Sequence, residues 1–428
     1  MGGDCLNTGC IPSKALIEAA RRAKGAASAK NLGVSYNDVT VDYASVMRHV
    51  RETIAAIEPH DSQERFEGLG VRVIRGYAEF ASKNSVRVGD ETLTARRIVV
   101  AAGATPIAPP INGLDAVAYF TNETFFENYD RPDHLIIIGG GPIGVEMAQA
   151  HAQLGIETTL IERFEILPRE ISETREIVRT KLLQDGVTIF ENCDVSSIKE
   201  NGTIKSIIFG DGQMIEGSHI LVATGRRANI QGLNLSEAGI EATDVGIKVD
   251  DSLRTTNRDV YAIGDVIGQE QFTHVSGYHA SLVLRSALFG LPAKVKKDHI
   301  PRVTYCDPEV ASVGDISDGV GIETYRVTYD GLDRAIAGVR TDGFAQIWVK
   351  NGRVLGATIV GAQAGELIHF WSLVIAQNLK LSKASSVITP YPTLSDLNKK
   401  LIGAYFIPRL FDNSKIKSFV KLVQRWVP

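Results

Sequence analysis

Two cysteines near the start of the sequence have the type and spacing for redox chemistry. Cys5 and Cys10 are separated by four residues, and Lys14 follows four positions after Cys10. Pro12 is typical of a first helical turn, and the sequence predicts a helix from Ser13 to about Ala29. The positive end of that helix and the lysine charge would both favour a reactive thiolate.

A metal site and a structural disulfide are the alternative interpretations of this pair. A metal site needs two further ligands, and Cys193, Cys306 and the histidines form no suitable cluster in the sequence, so we predict no resident metal. The N-terminus lacks a secretory pattern, so we expect a cytoplasmic protein, in which a close cysteine pair is more often catalytic or metal-binding than structural.

A glycine-rich turn predicts a dinucleotide site. An apolar strand over Leu135 to Ile138 leads into the turn, a helix from Val145 to Leu154 follows it, and Glu162 ends the next strand. Small residues let a pyrophosphate approach the helix N-terminus. A turn that only packs a helix on a sheet is the alternative. The predicted cofactor contacts in the turn are Gly139, Gly141, Pro142, Ile143 and Gly144.

The carboxylate of Glu162 would accept hydrogen bonds from the ribose hydroxyls of NADH and repel the 2′-phosphate of NADPH. We therefore expect NAD(H) to be preferred over NADP(H).

Two segments of the chain repeat one pattern. Ile98 to Gly103 and Ile220 to Gly225 are each an apolar strand followed by Ala-Ala-Gly or Ala-Thr-Gly, which implies two related dinucleotide-binding domains. A further apolar strand runs from Val260 to Asp265. Beyond Pro301 the sequence predicts alternating strands and a helix from Gly365 to about Gln377, typical of a separate α+β domain.

Composition excludes several classes of function. The 428 residues are 44% hydrophobic and 22% charged, as in globular proteins, and no apolar run approaches the length that spans a bilayer. The formal charge of -4 gives no basic field for a polyanion, so a nucleic-acid partner is not expected.

The segment from Gly2 to Lys14 closely resembles the redox-active segment of the pyridine nucleotide-disulfide oxidoreductase family, which includes dihydrolipoamide dehydrogenase, glutathione reductase and mercuric reductase. The resemblance covers essentially the whole chain and is greatest to the mercuric-reductase-like branch. The other matching segments are the glycine turn, Ala223-Thr224-Gly225, Tyr261 to Asp265, Gln271-Phe272-Thr273-His274 and Pro390-Tyr391-Pro392-Thr393.

This resemblance implies an α/β fold with two Rossmann-like domains and a C-terminal α+β dimerisation domain. The FAD-binding domain would comprise residues 1–118 and 256–298, split around an NAD(P)-binding domain at 119–255. Residues 299–428 would form the dimerisation domain of a homodimer.

The resemblance also implies roles for matched residues. Cys10 would be the flavin-proximal thiol that forms the charge-transfer complex, and Cys5 the interchange thiol that meets substrate. Lys14 would lie near the flavin N5, paired with Glu146. Asp265 would bind the ribityl chain. The remaining implied cofactor contacts are Gly76, Ala102, Gly103, Val195, Gly225, Gln271, Phe272, Thr273 and His274.

The chain departs from the family at its start. Family members begin with a strand, a glycine-rich turn and a helix that hold the FAD pyrophosphate, and this sequence lacks them. We therefore expect an incomplete FAD site, and we interpret Met1 as an internal methionine of a longer protein. The alternative is a non-catalytic remnant that binds NADH or dimerises without flavin.

A second departure lies in the C-terminal domain. Tyr391 and Asp396 occupy the positions where dithiol and glutathione reductases carry a histidine and a glutamate. A phenol, with a pKa near 10, is a poor proton acceptor, so efficient turnover of dihydrolipoamide or oxidised glutathione is not expected. A structural interface role for Tyr391 carries the same weight as a catalytic role. Mercuric reductases share the missing histidine, but their C-terminal cysteine pair is absent after Lys415.

The C-terminal tail is basic and amphipathic. We expect it to pack on a neighbouring subunit, with an anionic membrane surface as the less favoured alternative.

Taken together, the sequence predicts an FAD-dependent NAD(P)H oxidoreductase that passes electrons through flavin to the Cys5–Cys10 disulfide. The final acceptor, a small molecule or a metal ion, is left open. A mercuric-ion reductase is the main alternative.

Overall fold

The computed structural model describes residues 1–36 and 38–427. The chain divides into two compact units. Unit 1 contains Met1–Ile166 and Gly186–Val295, and unit 2 contains Leu167–Asp185 together with the chain from Lys296 onward. The three-domain boundaries given above stay a prediction.

The helices follow in chain order. They are α1 (Gly3–Asn7), α2 (Cys10–Ser28), α3 (Tyr43–Ile57), α4 (Gln63–Gly68), α5 (Asn122–Phe125), α6 (Pro142–Gln153), α7 (Ser172–Gln184), α8 (Thr273–Phe289), α9 (Asp333–Ala337), α10 (Ala364–Ala376), α11 (Leu381–Ala384), α12 (Asp396–Phe411) and α13 (Ser414–Trp426).

The strands form a four-stranded parallel sheet, a five-stranded antiparallel sheet and smaller sheets of two or three strands. They are β1 (Ala78–Ser82), β2 (Ser85–Val88), β3 (Glu91–Thr94), β4 (Ile98–Val100), β5 (Ala104–Pro106), β6 (His134–Ile138), β7 (Glu157–Ile161), β8 (Val187–Phe190), β9 (Val195–Asn201), β10 (Ile204–Phe209), β11 (Met214–Gly217), β12 (His219–Val222), β13 (Arg226–Ala228), β14 (Val260–Ala262), β15 (Pro301–Thr304), β16 (Glu309–Gly314), β17 (Glu323–Thr328), β18 (Phe344–Lys350) and β19 (Arg353–Gly361).

The parallel sheet of unit 1 supports the glycine turn. Its strands lie in the order β12-β6-β7-β8, and Leu135, Ile136 and Ile137 of β6 are fully buried. A continuous apolar run is typical of a strand covered on both faces. Helix α6 begins at Pro142, earlier than the predicted Val145, because proline suits the first helical position, where its missing N–H costs nothing.

The two repeated segments also form parallel strands. β4 pairs with β14, and β12 pairs with β6. β4 ends at Val100, two residues before the predicted end, because the next carbonyl groups meet a loop instead of a strand. Asn229 donates from its amide Nδ2 to the carbonyl of Ala102 at 2.9 Å, and from its backbone N–H to Gly103 at 3.0 Å.

Unit 2 is built on the antiparallel sheet β15-β16-β19-β18-β17, with α10 contributing to its core. Trp371 of α10 is fully buried and donates from its indole N–H to Asn398 Oδ1 at 2.8 Å. Helix α7 also belongs to this unit, where Lys181 pairs with Asp342 at 2.5 Å. The predicted α/β class, with an α+β unit at the C-terminus, is confirmed.

Candidate redox site

The cysteine pair lies where two helices begin. Cys5 is in α1, and Cys10 is the first residue of α2, so the helix starts earlier than the predicted Ser13. Both cysteines are free thiols, and Cys10 is exposed. The Cys10 Sγ lies 3.3 Å from the Thr273 Oγ1, and Thr273 is the first residue of α8. The sulfur is therefore close to two helix N-termini, whose positive ends favour a thiolate.

The two thiols differ in their protonation. The pKa of Cys10 is lowered to about 6, first because Cys5 donates a hydrogen bond to it, then because of Thr273 and the charge of Lys14, while partial desolvation opposes the shift. The same hydrogen bond and partial burial raise the pKa of Cys5. At neutral pH the reduced pair therefore holds one proton, on Cys5, and Cys10 is the thiolate.

Lys14 forms an ion pair with Glu146 of α6. The Nζ–Oε2 distance is 2.7 Å, the glutamate side chain is 6% exposed and the lysine side chain 37%. A buried carboxylate needs such a counter-charge. The pairing that the resemblance implied is therefore present, and it connects the start of α2 with the helix of the glycine turn.

A second charged network holds the segment that contains Cys5. Asp4 accepts hydrogen bonds from the Thr8 hydroxyl at 2.6 Å and from the Asn122 Nδ2 at 3.0 Å. Arg226, directly after the repeated Ala-Thr-Gly, lies 3.2 Å from Asp4 and 3.8 Å from Asp265. Sequence reasoning missed Asp4, Asn122 and Arg226 as site residues, although Asp4 stands inside the cysteine segment.

Asp265 lies in the short 3-10 segment that follows β14. Burial raises the pKa of its carboxyl group, the Arg226 charge opposes the shift, and Asp4 adds to it. The side chain is 20% exposed, so part of it remains accessible to a ligand.

The glycine turn has the backbone that a dinucleotide requires. Gly139 has φ +118°, and a Cβ there would lie 2.4 Å from the carbonyl oxygen of Ala223. A Cβ on Gly144 would lie 1.8 Å from the carbonyl oxygen of Gly139, so α6 packs against the strand end. At Gly141 a Cβ would meet no atom within 4 Å, which leaves space at the helix N-terminus. These three features fit a bound pyrophosphate.

Glu162 reaches this turn. Its Oε2 accepts the backbone N–H of Gly140 at 2.6 Å, and its Oε1 accepts that of Phe164 at 2.9 Å. Arg163 is directed to Asp194, with an Nε–Oδ1 distance of 2.9 Å. The carboxylate that would select the nucleotide is therefore fixed at the turn by the backbone.

The other predicted cofactor contacts lie in unit 1. Gly76 and Gly225 have φ +153° and +137°, Val195 begins β9, and Ile143 is exposed in the first turn of α6. The rings of Phe272 and His274 stack with centroids 5.2 Å apart. Their cofactor contacts, and those of Gln271, Ala102 and Gly103, stay predictions.

Tyr391 and Asp396 lie in unit 2 and have different partners. The Tyr391 hydroxyl donates to the Asp333 Oδ2 at 2.8 Å, and the residue is 73% exposed. This hydrogen bond and the Asp333 charge raise the pKa of the phenol. Asp396 lies 3.7 Å from Lys399. The tyrosine is therefore hydrogen-bonded to a carboxylate that sequence reasoning did not identify.

Residues 1–36 and 38–427 contain neither a metal-binding cluster nor a membrane-spanning helix. No group of three or more histidine, cysteine, aspartate or glutamate side chains among them is arranged to hold a metal ion. Nor does any helix in those ranges have the length and apolar character needed to cross a bilayer.

Comparison with known sequences decides the family. Residues 1–280 match the sequence model described as pyridine nucleotide-disulphide oxidoreductase, and residues 300–401 match the model of its dimerisation domain. The chain belongs to this family. Members of the pyridine nucleotide-disulphide oxidoreductases are FAD-dependent enzymes, as the resemblance implied, so the predicted family and class of enzyme are confirmed.

Two curated members of the family are similar over most of the chain. A mercuric reductase from Bacillus cereus is 32% identical over 408 residues, which cover 92% of this chain and 65% of that protein. The chain thus spans just under two thirds of that relative. A dihydrolipoyl dehydrogenase from Bacillus subtilis (strain 168) is 33% identical over 422 residues, which cover 93% of this chain and 87% of that protein.

Two solved structures agree with the fold. The HOCl-induced flavoprotein disulfide reductase RclA from Escherichia coli, solved as a Cu(II) complex, has a TM-score of 0.83 at 26% identity, covering 94% of this chain and 91% of that chain. LpdA from Mycobacterium tuberculosis has a TM-score of 0.86 at 24% identity, covering 94% and 91%, which supports the fold alone.

Proposed function

We propose that this protein is an FAD-dependent NADH oxidoreductase that delivers electrons through Cys5 and Cys10 to an acceptor. The observation that carries the proposal is the unequal thiol pair, with a Cys10 thiolate held by Cys5, Thr273 and Lys14. When bound, NADH supplies a hydride and FAD relays its two electrons to the disulfide. The protein supplies placement and charge.

The reduced pair can act without an external base. Breaking the Cys5–Cys10 bond with two electrons and one proton leaves a thiol on Cys5 and a thiolate on Cys10. Because Cys5 already donates a hydrogen bond to Cys10, its proton can pass to Cys10 as the Cys5 sulfur attacks an acceptor. Cys10 would then give this proton to the departing half of the acceptor, and its thiolate would attack the Cys5 sulfur, release the reduced acceptor and restore the disulfide.

NADH is the proposed reductant. The backbone N–H groups of Gly140 and Phe164 hold the Glu162 carboxylate at the turn, where it would meet the ribose hydroxyls or a 2′-phosphate. We expect kcat/KM for NADH to exceed that for NADPH by at least about tenfold. Glu162→Gln should narrow this ratio by reducing charge repulsion. An unchanged ratio would contradict this role for the carboxylate.

A homodimer is also part of the proposal, because the match to the dimerisation domain covers most of the chain after residue 300. Sedimentation of the purified full chain tests it. A monomer at micromolar concentration would contradict it.

A soft metal ion is the second candidate acceptor. Two sulfurs are ligands that Hg(II) prefers. The phenol of Tyr391, whose pKa is raised by Asp333, is a poor base for dithiol turnover. NADH and Hg(II) would give NAD⁺, Hg(0) and one proton. The similarity to mercuric reductase gives this candidate further support.

The deciding experiment is an absorbance spectrum of the purified full chain before and after anaerobic addition of NADH. Although the opening FAD-binding unit is absent from this sequence, the proposal requires the remaining contacts to hold about one FAD per chain and, after reduction, to give a long-wavelength band from the Cys10 thiolate beside oxidised flavin. Protein that binds NADH but no FAD would instead support the non-catalytic alternative and overturn the proposal.

The acceptor is then identified by measuring the rate of NADH oxidation with oxidised lipoamide, with glutathione disulfide, or with Hg(II) in excess thiol. Cys10→Ala should abolish turnover of the true acceptor. Activity that survives this substitution would exclude the thiol route while leaving FAD binding intact.

A further inference from the structure

The last helix of the chain, α13, exposes both of its faces. It spans Ser414–Trp426, and Asn413 caps it by accepting the backbone N–H groups of Lys415 and Ile416. All of its residues are exposed except Ile416, which is partly buried. Phe419 is 64% and Trp426 76% exposed, so the apolar side chains of this helix are not covered by the chain's own core.

The two faces of α13 differ sharply in chemistry. At 100° per residue, the apolar side chains occupy an arc of about 160°. They are Ile416, Phe419, Val420, Leu422, Val423 and Trp426. Lys417, Lys421 and Arg425 point to the opposite side, and Lys415 lies within the apolar arc, between Leu422 and Trp426. The helix contains no acidic residue.

We propose that α13 lies in the plane of an anionic lipid surface. Basic side chains on one face with tryptophan, phenylalanine and leucine on the other are typical of helices that bury their apolar face at the boundary of headgroups and acyl chains. Trp426, with an apolar ring and a polar N–H, suits that boundary. Lipid phosphates supply the negative charge that the helix lacks.

Charge favours lipid over a second copy of the same helix. A second copy of α13 packed on the apolar face would leave Lys417, Lys421 and Arg425 without a carboxylate partner from either helix, whereas lipid phosphates would pair with them. The helix also lies beyond residue 401, where the match to the family's dimerisation domain ends. The proposed contact therefore adds to the electron-transfer function and does not depend on it.

Vesicle flotation of the purified full chain tests the proposal. We expect co-flotation with vesicles of equal parts phosphatidylglycerol and phosphatidylcholine, and at least about tenfold less with pure phosphatidylcholine. Raising the salt from about 0.1 M to about 0.5 M should weaken binding, because screening shortens the reach of the lysine charges. Equal flotation with both vesicle types would overturn the role of charge and so the proposal.

Two sets of substitutions separate charge from apolar burial. The triple variant Lys417→Glu, Lys421→Glu, Arg425→Glu should reduce binding to anionic vesicles at least about tenfold. Phe419→Ser with Trp426→Ser should do the same by removing the apolar anchor. The matched control reverses three exposed lysines elsewhere, with Lys199→Glu, Lys294→Glu and Lys297→Glu, and should bind like the wild type. Equal loss in the control would overturn the assignment to α13.

A spectroscopic readout reports the helix directly. Trp348 and Trp371 are fully buried, so a blue shift of tryptophan emission on adding anionic vesicles would come from Trp426. Trp426→Phe should remove the shift and keep flotation. If the wild type sediments as a larger oligomer that the Phe419→Ser, Trp426→Ser variant loses, and vesicles bind neither protein, α13 is a contact between copies and the lipid proposal fails.

Discussion

Cys10 and Tyr391 stand at positions where the resemblance predicts thiol and proton chemistry, yet their surroundings shift their pKa values in opposite directions. The pKa of Cys10 falls to about 6, so it is ionised at neutral pH. The pKa of Tyr391 rises above its usual value near 10, so it stays protonated. One residue is activated as an ionised group and the other is kept neutral.

The difference lies in which partner donates the hydrogen bond. Cys10 accepts a hydrogen bond from Cys5 and lies 3.3 Å from the Thr273 hydroxyl, so its ionised form is stabilised. Tyr391 donates its only proton to Asp333, so ionisation would lose the bond and place two negative charges together. A titratable residue at a family position is therefore reactive only if its neighbours stabilise the form that reacts.

The largest expected effect comes from removing the Cys10 sulfur. Cys10→Ser should lower acceptor-dependent NADH oxidation at least about a thousandfold, because a hydroxyl cannot form the disulfide that accepts two electrons. Steady-state rates under anaerobic conditions measure this. Cys193→Ser is the matched control and should keep activity within about twofold. If Cys10→Ser kept a tenth of the wild-type rate or more, Cys10 would not be the activated thiol that this comparison makes it.

Removing the Lys14 charge should lower the stability of the chain, in addition to raising the pKa of Cys10. Lys14→Met leaves the buried Glu146 carboxylate without this counter-charge and should lower the free energy of unfolding by about 3 kcal/mol. Urea titration of the full chain measures it. Lys14→Arg keeps the charge and should lower the free energy of unfolding by less than half as much as Lys14→Met. An unfolding midpoint equal to wild type would mean that solvent already balances Glu146.

Alkylation should report the state of Cys10 as a function of pH. Since its thiolate forms above a pKa of about 6, the iodoacetamide rate at Cys10 should fall tenfold for each pH unit below that value and level off above about pH 7. Thr273→Val should move this profile upward by about one pH unit, because one hydrogen bond to the thiolate is lost. Thr273→Ser should keep the wild-type profile. Peptide mass spectrometry identifies the modified cysteine. If Cys5 were alkylated before Cys10, the thiolate would be on Cys5 and the proposed protonation of the pair would be wrong.

The smallest effect is expected at Tyr391. Tyr391→Phe removes one exposed hydrogen bond, so activity should stay within about threefold and stability within about 1 kcal/mol. The pH profile of kcat should also stay the same. A tenfold loss, or a limb of the profile that disappears, would make the phenol a proton donor in turnover and remove the contrast with Cys10.

Much of the local structure was predictable from the sequence. The strand His134–Ile138, the glycine turn and helix α6 fall within a few residues of their predicted positions, because each depends on neighbours in the chain. Helix boundaries were less accurate. Helix α2 begins at Cys10 because the Ser13 backbone N–H already bonds to the Gly9 carbonyl at 3.1 Å, a contact that residue pattern alone does not specify.

Contacts between distant segments were predictable only through the resemblance or were missed. Lys14 and Glu146 are 132 residues apart, and the family likeness supplied their pairing. Arg226 and Asp4 were not linked in advance, because single charges on separate elements carry no periodic signal. Asp333, the hydrogen-bond partner of Tyr391, lies 58 positions away in the sequence and was missed for the same reason.

The sequence by itself determined the chemical groups and the elements that carry them, since cysteine spacing, glycine turns and apolar strands are written in consecutive residues. Only the tertiary structure decided which groups stabilise the Cys10 thiolate. Thr273 reaches Cys10 across 263 positions of sequence because α8 begins beside α2, and a pKa depends on groups that are near in space, wherever they stand in the chain.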